Sequence, residues 1–542
     1  MTDPQPTTLP QAVHMAAERY GDRTAVVDGK RSMSWAELRD EVRRTAAGYV
    51  RLGVAPGDRV AVWAPNSLEW VLSALGISYA GATLVPLNTR YRGHEVVDVL
   101  RRTRATVAVV ADGFLGRSQV EEMARASEEQ EDPIGPVFAD ATSPIAGLPD
   151  LRAVVRIGAG ASSPDVMAFE GLAALADEDS IDEADRRAAE VKTDDIADIL
   201  FTSGTTGRSK GVLSAHRQTV AAARIWGETC GVTAQDRYLV INPFFHSFGY
   251  KAGLLVALLT GCCIYPQATF DVDETLRLID EEGITVLPGA PTVFSSLFGS
   301  PRLGSIDRSS LRLAVTGAAS VPVALVERMQ AELGFDHVLT AFGMTECVVA
   351  TMCRPGDPDA LVASTCGPPV PGIEVRIVDP ETGTVLPPGD EGEVQFRGDM
   401  VMQGYLDDDE ATTEAIDPDG WLRTGDVGRV DQRDYLSITD RLKDMYITGG
   451  FNVYPAEVEQ ALSRLDGVLE SAVFGVPDER MGEVGCVFVV RRPEAAVGVE
   501  EVAGFLRERV ANFKVPREVV FVDHLPRNVS GKVLKNELRR EM

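Results

Sequence analysis

The window from Phe201 to Gly211, which reads Phe-Thr-Ser-Gly-Thr-Thr-Gly-Arg-Ser-Lys-Gly, combines residue types that hold phosphate. Its glycines let backbone amides turn toward an anion, its hydroxyl groups donate hydrogen bonds, and Lys210 adds a positive charge. It is not a Walker A motif, because Lys210 is followed by Gly211 and an extended Val212-Leu213 instead of a Ser or Thr that opens a helix. The window therefore predicts a phosphate-binding loop and disfavours a P-loop kinase or GTPase, although a merely flexible Gly/Ser/Thr loop is the alternative.

Four more windows contain charged and aromatic residues suited to a nucleotide. They are Phe342-Gly343-Met344-Thr345-Glu346, Trp421-Leu422-Arg423-Thr424-Gly425-Asp426, Asp440-Arg441-Leu442-Lys443-Asp444 and Pro526-Arg527-Asn528-Val529-Ser530-Gly531-Lys532. With the first loop, in this order and spacing, they resemble the adenylate-forming superfamily of acyl-CoA synthetases, luciferases and peptide-synthetase adenylation domains, over nearly the whole chain. The resemblance implies that a carboxylate attacks the α-phosphate of ATP to give an acyl-adenylate and pyrophosphate, and that coenzyme A then displaces AMP.

The resemblance assigns nucleotide and metal roles that the residue types support. Glu346 offers a hard carboxylate oxygen for Mg²⁺, and the resemblance places Thr202 with it as catalytic and metal-binding. Asp426 accepts hydrogen bonds from two ribose hydroxyls, and Arg441 adds a donor. Thr345 and Glu346 alone are equally compatible with a solvated helix start, and Asp426 with a turn after a glycine. The remaining predicted nucleotide-binding residues are Ser203, Gly204, Thr205, Thr206, Gly207, Lys210, Thr345 and Phe342, whose ring replaces the more usual Tyr and stacks on adenine.

The last two windows supply the predicted catalytic lysine and the predicted hinge. The resemblance makes Lys532 the lysine that neutralises charge developing between the carboxylate and the α-phosphate. Without that context, a lysine near the end of a chain is ordinarily just solvated. Lys443 corresponds to the hinge of the family, and an exposed linker lysine is its alternative. Gly449, Gly450 and Phe451 are predicted on the coenzyme A side, where Phe451 stands in place of a commoner Glu and plain domain core is the alternative.

The predicted acyl pocket is apolar. Amino-acid-activating relatives place an Asp in the segment equivalent to residues 244–249, and this chain has no acid there. We therefore expect a largely apolar carboxylic acid, either a fatty acid or a steroid-derived ring propanoate. Residues 449–455 resemble actinobacterial acyl-CoA ligases, including those that act on such ring propanoates. A core histidine is the alternative for His246. The predicted pocket residues are His246, Phe248, Gly317, Ala318, Gly343 and Met344.

Two other functions of the same fold remain open from the residues. An adenylating enzyme that loads the phosphopantetheine of a carrier protein would share every window. An acyl or nucleotide sensor without turnover is disfavoured, because Lys532 and Glu346 are both present. Free coenzyme A is the expected acceptor, because we find no appended carrier segment in the sequence.

Composition excludes several other classes. The 542 residues have a formal net charge of −28, which repels nucleic acid and anionic lipid. The seven cysteines contain no Cys-x-x-Cys pair and the six histidines no His-Glu-x-x-His motif, so a disulfide framework and a catalytic zinc site are disfavoured. The first residues have no basic and apolar leader pattern. We expect a cytoplasmic enzyme without a membrane-spanning segment, which forms a homodimer or acts alone.

The elements that must position these residues follow from local patterns. Strands and helices alternate between residues 24 and 111, which indicates a parallel sheet covered by helices. Residues 121–150 and 177–190 are expected to be exposed connections, and residues 372–430 a β-rich subdomain. The predicted fold is α/β: a large N-terminal adenylation domain of α/β layers (1–440) that binds ATP and the acyl group, and a small mobile C-terminal α+β lid (441–542) that carries Lys532.

Overall fold

The computed structural model describes residues 5–129, 143–158, 166–202, 209–317, 321, 323–441, 444–448, 451–453, 455–478, 481–507, 510, 512–527, 533–540 and 542. The helices of these ranges are short to medium in length, and none of them is long and apolar enough to cross a membrane. They are α1 Leu9–Tyr20, α2 Trp35–Arg51, α3 Leu68–Tyr79, α4 Gly93–Thr103, α5 Gln119–Glu129, α6 Phe169–Ala174, α7 Glu178–Glu190, α8 His216–Cys230, α9 Ser247–Gly249, α10 Leu255–Thr260, α11 Val272–Glu282, α12 Pro291–Phe298, α13 Val323–Arg328, α14 Asp359–Ser364, α15 Asp409–Ala415, α16 Pro455–Leu462, α17 Val499–Arg507 and α18 Lys535–Leu538.

The strands of the same ranges belong to several sheets. They are β1 Thr24–Asp28, β2 Arg31–Ser34, β3 Arg59–Trp63, β4 Thr83–Pro86, β5 Val107–Ala111, β6 Ala153–Ile157, β7 Val166–Ala168, β8 Ile196–Thr202, β9 Lys210–Ala215, β10 Arg237–Val240, β11 Cys263–Pro266, β12 Leu313–Thr316, β13 His337–Met344, β14 Cys347–Met352, β15 Ile373–Val378, β16 Gly392–Gly398, β17 Gly404–Tyr405, β18 Leu422–Val430, β19 Leu436–Arg441, β20 Tyr446–Thr448, β21 Phe451–Val453, β22 Val468–Asp478, β23 Gly482–Arg491 and β24 Glu518–Val522.

Two large sheets form the N-terminal part. The first has the order β17-β9-β8-β4-β3-β5-β6-β7 and is parallel from β8 to β7, with β9 and β17 added antiparallel at one edge. The second runs β2-β1-β11-β10 and continues to β12-β13-β14, because Val286 bridges Tyr238 on one side and Leu313 on the other. Parallel strands need helical crossovers, which explains the alternating pattern of the sequence.

The first elements follow from local signals in the sequence. Gly29 and Lys30 connect β1 and β2 as an antiparallel hairpin, with Gly29 at φ +61°. Ser34 and Glu37 form a complete capping box at the start of α2. The apolar residues 252–265 form a core helix followed by strand β11, and the turn that opens this helix, Tyr250–Leu254, is a π-helix.

The prediction of an exposed connection is wrong at the start of residues 121–150 and over nearly all of residues 177–190, while residues 130–142 lie outside the described residues. Residues 119–129 form α5, whose Met123 and Ala126 are buried. The acidic stretch forms α7, where Asp177 accepts a hydrogen bond from the backbone of Ser180. α7 presents Ala184 and Ala188 to the core, so its acidic residues form only the opposite face. Small buried alanines give a weak apolar signal, which is why the charge pattern misled the prediction.

The remaining chain forms two smaller units, as predicted. The strands of residues 373–441 form an antiparallel sheet in the order β15-β16-β18-β19. The C-terminal unit has a sheet of β21-β20-β23-β22, with β24 parallel to β23, and α16 and α17 lie against it. The fold is therefore α/β with a large N-terminal domain, a β-rich part and a small C-terminal α+β unit. The boundary at residues 440 and 441 stays a prediction.

Candidate active site

The predicted phosphate loop lies between two antiparallel strands. Thr202, the last residue of β8, pairs with Lys210, the first residue of β9, and its hydroxyl donates to the Lys210 carbonyl at 3.4 Å. A Cβ on Gly211 would lie only 3.0 Å from the Ile199 side chain, so a glycine lets β9 pack closely here. The hairpin therefore holds both ends of the loop. The predicted residues Ser203, Gly204, Thr205, Thr206 and Gly207 lie outside the described residues.

Arg102 stabilises the end of this hairpin from the side. Its guanidinium donates to the Ser209 carbonyl at 2.7 Å and lies 5.0 Å from the centre of the Phe201 ring. Asp98, one turn earlier on α4, pairs with the same guanidinium at 3.3 Å. The contact holds the backbone of Ser209, the residue directly before β9. Sequence reasoning missed Arg102, because nothing local to α4 shows that it reaches residue 209.

Glu346 lies in a tight turn between two antiparallel strands, and the alternative of a helix start is wrong. Met344 at the end of β13 pairs with Cys347 at the start of β14, so Thr345 and Glu346 form the connection. Gly343 precedes the turn, where a Cβ would lie 2.0 Å from the Val348 carbonyl oxygen. Only glycine allows the two backbones to approach this closely.

The Glu346 side chain connects the turn to the phosphate hairpin. Its carboxylate is buried and accepts a hydrogen bond from the Tyr405 hydroxyl at 2.8 Å, while its carbonyl accepts one from the Met402 amide at 2.8 Å. The Lys210 ammonium lies 4.9 Å from the centre of the Tyr405 ring. Burial, together with the neighbouring Glu346 carboxylate, raises the pKa of the Tyr405 hydroxyl, which therefore stays a donor. Sequence reasoning predicted Lys210 and Glu346 but missed Tyr405, for which the sequence contains no local signal.

The donor set fits a magnesium–nucleotide complex. In the part of the chain that the structure describes, no group of three or more His, Cys, Asp or Glu side chains could hold a metal ion. Magnesium is usually held by one or two carboxylates together with substrate phosphates, so a single buried carboxylate beside a phosphate loop is sufficient. Glu346 and Thr202, both among the described residues, stay the predicted magnesium ligands.

The predicted ribose ligand lies in the β-rich part. Asp426 is buried within β18 and pairs in register with Arg441 of β19, so the alternative of an isolated turn is wrong. The Asp426 amide donates to the Thr424 hydroxyl oxygen at 3.0 Å, and that hydroxyl donates to the Val394 carbonyl at 2.6 Å. These bonds hold the backbone around the carboxylate.

Phe342, the predicted adenine platform, is connected to the same sheet. Its ring contacts the ring of Phe396 with centroids 5.8 Å apart and an angle of 54° between the planes. Phe396 pairs with Leu422 at the start of β18. Trp421, one residue earlier, is flanked by the guanidinium groups of Arg376 at 4.1 Å and Arg397 at 4.6 Å. The ring contact between Phe342 and Phe396, with the pairing of β16 and β18, therefore joins Phe342 to the strand that contains Asp426.

The predicted acyl segment begins where β10 ends. The buried Asn66 side chain donates to the carbonyls of Val240 and Asn242 at 3.1 and 3.0 Å, and accepts from the Phe244 amide at 2.7 Å. His246 follows two residues later, where its Nδ1 accepts a hydrogen bond from the Phe248 amide at 3.2 Å. Sequence reasoning missed Asn66, which holds this segment in place from a distant part of the chain.

The His246 side chain is exposed, so a buried core histidine is excluded. Desolvation by the surrounding protein atoms nevertheless lowers the pKa of its imidazole. Phe248 packs against Trp226 with ring centroids 5.5 Å apart, so the predicted pocket has an apolar wall beside His246.

The other pocket residues lie at the same edge of the second sheet. Gly317 follows β12 directly, and a Cβ on it would lie 3.2 Å from the Ala341 carbonyl oxygen beside Phe342. Asn242 donates to the Pro288 carbonyl at 3.2 Å, and Gly289 bridges to Thr316. Ligands of open α/β sheets bind outside the carboxyl ends of the strands, and the predicted acyl and adenine residues follow or end strands β10, β12 and β13 of this sheet. Ala318 lies outside the described residues.

The predicted C-terminal site residues are mostly not described. Lys532, Lys443, Gly449 and Gly450 lie outside the described residues, and Phe451 is placed only as the first residue of β21. The chain on either side of Lys532 is held by a bridge between Arg527 and Val533. Their roles stay predictions.

The fold and this edge of the sheet define a ligase that activates an acid with a nucleotide. The family described as AMP-binding enzyme matches residues 13–406, and the AMP-binding enzyme C-terminal domain matches residues 457–532. The chain belongs to this family. It is an ATP-dependent, AMP-forming acid:CoA ligase that uses ATP with Mg²⁺ and coenzyme A.

Named relatives are similar along the whole chain. The 3-[(3aS,4S,7aS)-7a-methyl-1,5-dioxo-octahydro-1H-inden-4-yl]propanoyl:CoA ligase of Rhodococcus jostii (strain RHA1) is 56% identical over 540 residues, which cover 99% of each chain. The protein of the same name from Mycobacterium tuberculosis (strain ATCC 25618 / H37Rv) is 51% identical over 533 residues, which cover 98% of each chain. Among solved structures, ATP-bound MatB from Rhodopseudomonas palustris is 31% identical, with a TM-score of 0.84 over 99% of this chain and 98% of that one.

Proposed function

We propose that this ligase activates a propanoate side chain attached to a fused, partly oxidised carbocycle of steroid origin. The observation that carries the proposal is the 56% identity along the whole chain to a ligase named for such an acid. The apolar wall of Phe248 and Trp226 behind His246, with no acidic residue in the segment, supports an uncharged carbocycle. A straight-chain fatty acid is the second candidate, because an aliphatic chain is equally compatible with an apolar wall.

In the first half-reaction, the residues of the site bind and orient the two substrates. The phosphate loop between Thr202 and Lys210 holds the triphosphate through its backbone amides, its hydroxyls and the Lys210 ammonium. Magnesium supplies charge neutralisation on the phosphates, and Glu346 with Thr202 would hold it. A carboxylate oxygen of the acid then forms a bond to the α-phosphorus, and the bond to pyrophosphate breaks.

The other assigned residues complete the site. Asp426 accepts hydrogen bonds from the ribose hydroxyls, and Arg441 adds a hydrogen-bond donor. Phe342 stacks on adenine. Lys532 stabilises the charge that develops between the acid and the α-phosphate. Gly317, Gly343 and Met344, with Ala318 beside them, line the path from the nucleotide to the acyl wall.

In the second half-reaction, the coenzyme A sulfur forms a bond to the acyl carbon and AMP leaves with the bonding electrons. The C-terminal unit, from residue 441 onward, turns at Lys443 between the two half-reactions, and the segment of Gly449, Gly450 and Phe451 then faces the thiol. We place the enzyme in the cytoplasm, where it acts alone or as a homodimer.

A screen of acids tests the proposal. Pyrophosphate release is measured with purified enzyme, ATP, Mg²⁺ and coenzyme A, and with each of a series of acids. The series pairs a bicyclic ring propanoate with monocyclic ring propanoates and straight-chain acids of matched carbon number. We expect kcat/KM for the bicyclic acid to exceed that for the matched fatty acid by at least about tenfold, because loss of ring contacts costs more than about 1.4 kcal/mol. A preference for the fatty acid would overturn the assignment of the acid.

A further inference from the structure

The Tyr405 side chain is placed between two oppositely charged residues of the predicted nucleotide site. It lies in the two-residue strand β17, whose residues pair antiparallel with Val212 and Leu213 of β9. The Leu406 amide donates to the Gly211 carbonyl at 2.8 Å, so the backbone on the far side is also joined to β9. Tyr405 is therefore fixed to the strand that begins at Lys210.

The hydroxyl of Tyr405 sets the orientation of a carboxylate. The terminal torsion of a glutamate side chain has a broad, shallow energy profile, so its oxygens turn freely unless a hydrogen bond holds them. The Tyr405 hydroxyl donates to Oε1 of Glu346 at 2.8 Å, which restricts that torsion. The Met402 amide, three residues before Tyr405, donates to the Glu346 carbonyl and fixes the backbone of the same residue. One short segment thus holds Glu346 at both its backbone and its side chain.

The ring of Tyr405 contacts a cation. The Lys210 ammonium lies 4.9 Å from the ring centroid, within the range in which the negative face of an aromatic ring attracts a cation. The ring therefore restricts the position of the Lys210 ammonium group. Phenylalanine would keep this contact and lose the hydroxyl, while leucine would lose both, so the two functions are separable by substitution.

We propose that Tyr405 is a positioning residue for nucleotide binding, through its hydroxyl on Glu346 and its ring on Lys210. This inference rests on the proposed roles of Glu346 at the metal and Lys210 at the phosphates. The hydroxyl of Tyr405 affects the Mg²⁺ concentration that ATP binding requires, and its ring affects the affinity for ATP. Substitutions of a residue that only stabilises the fold would not change one of these two quantities without the other.

The test measures ATP binding by isothermal titration calorimetry on the full chain, without acid, across a series of MgCl₂ concentrations. For Tyr405→Phe we expect the Mg²⁺ concentration at half-maximal ATP binding to rise about tenfold, the effect of losing one hydrogen bond to a charged group. ATP affinity at saturating Mg²⁺ stays within about twofold of wild type. For Tyr405→Leu we expect the same magnesium shift and a further loss of ATP affinity of about threefold.

Tyr435→Phe is the matched control. Its hydroxyl also donates to a carboxylate at 2.8 Å, that of Asp357, and neither residue belongs to the assigned site. We expect its magnesium midpoint to equal that of wild type. Binding is measured at a temperature at which circular dichroism shows each variant to be fully folded. An unchanged midpoint for Tyr405→Phe, or an equal shift for Tyr435→Phe, would overturn the inference.

Glu346→Gln separates this inference from the proposed function. If Glu346→Gln shifts the magnesium midpoint and Tyr405→Phe does not, Tyr405 is not a positioning residue, while the assignment of Glu346 stands. If Glu346→Gln leaves the midpoint unchanged, the assignment of Glu346 to the metal fails and the inference falls with it.

Discussion

The ammonium group of Lys251 lies 2.8 Å from the carboxylate of Asp198, and both side chains are almost completely buried. Lys251 also donates to the Ser214 hydroxyl at 2.9 Å, and Asp198 accepts from the Thr219 hydroxyl at 2.7 Å. Asp198 belongs to β8, which leads to the phosphate loop, and Lys251 to the π-helix after His246. The ion pair therefore joins the nucleotide segment to the acyl segment through the core.

Breaking this pair is expected to destabilise the protein strongly. Lys251→Met leaves a buried carboxylate without its cation, and we expect the free energy of unfolding to fall by about 3–5 kcal/mol. Asp198→Asn removes the negative charge and keeps an acceptor for the Thr219 hydroxyl. The double variant with Lys251→Met therefore has neither charge. Urea denaturation is measured for wild type, the two single variants and the double variant. The double variant should be at least about 1 kcal/mol more stable than the sum of the two single effects predicts. Additive effects would mean that the two charges are not coupled.

His216 is expected to make the protein sensitive to acid. Burial lowers the pKa of its imidazole to about 4, although Asp195 raises it in part, and its neutral Nδ1 accepts the Leu9 amide at 3.2 Å. An unfolded histidine has a pKa near 6.5, so the unfolded chain binds more protons between pH 6.5 and 4. The stability that neutral His216 supplies is therefore present above pH 6.5 and lost as the pH falls toward 4. We expect His216 to lower the free energy of unfolding by about 2 kcal/mol at pH 5 relative to pH 7.

Urea denaturation at the two pH values isolates this contribution. His216→Asn keeps an acceptor in place of Nδ1 and has no group that titrates in this range. The difference between its free energies of unfolding at pH 7 and pH 5 should therefore be smaller than that of wild type. The exposed His524, changed to Asn, is the control and should behave as wild type. An identical pH dependence for His216→Asn and wild type would show that His216 is not the titrating group.

Lys532→Ala is expected to slow adenylation and spare thioester formation. Removal of one preorganised charge donor lowers the rate of the first half-reaction by on the order of 10² to 10³. Pyrophosphate exchange measures that step, and supplying synthetic acyl-adenylate with coenzyme A measures the second. The control is Lys535→Ala, since the Lys535 ammonium pairs with Glu459 at 2.8 Å on the same C-terminal unit. If thioester formation falls as far as exchange, Lys532 does not serve adenylation alone.

His246→Ala is expected to change the preference among acids and the affinity for the acid. The imidazole lies beside Phe248, whose amide donates to its Nδ1 and whose ring packs on Trp226, and the proposed function places this apolar wall at the acyl group. ATP binding measured without acid should stay within about twofold of wild type, a change below 0.5 kcal/mol. An equal weakening of ATP binding and acid binding would place His246 in the nucleotide site.

Lys443→Pro is expected to separate the two half-reactions. Proline fixes φ near −65° and removes an amide donor, which would hold the C-terminal unit in one orientation. We expect substantial acyl-adenylate formation with loss of most thioester formation. Lys443→Ala, which leaves the backbone torsions unrestricted, should retain both half-reactions. Equal loss of both half-reactions in the proline variant would indicate misfolding, and full retention would mean that the unit does not pivot at this residue.

The sequence by itself determined the elements and motifs that depend on neighbouring residues. The Ser34–Glu37 capping box, the turn at Gly29 and the strand before Thr202 were predictable because their hydrogen bonds and backbone angles are local. The nucleotide motifs were recognisable because their chemistry needs particular residue types in a fixed order. The family and the reaction class follow from these alone.

Only the tertiary structure decided which distant residues meet. Tyr405 is 59 positions from Glu346 in the sequence, and Asn66 is 178 positions from Phe244, whose amide donates to it. No sequence periodicity connects the two members of either pair. The packing of α7 on the core likewise depends on Ala184, whose small side chain gives little apolar signal. Such contacts depend on how sheets and helices bury one another, and burial over long separations is not encoded in any short stretch of sequence.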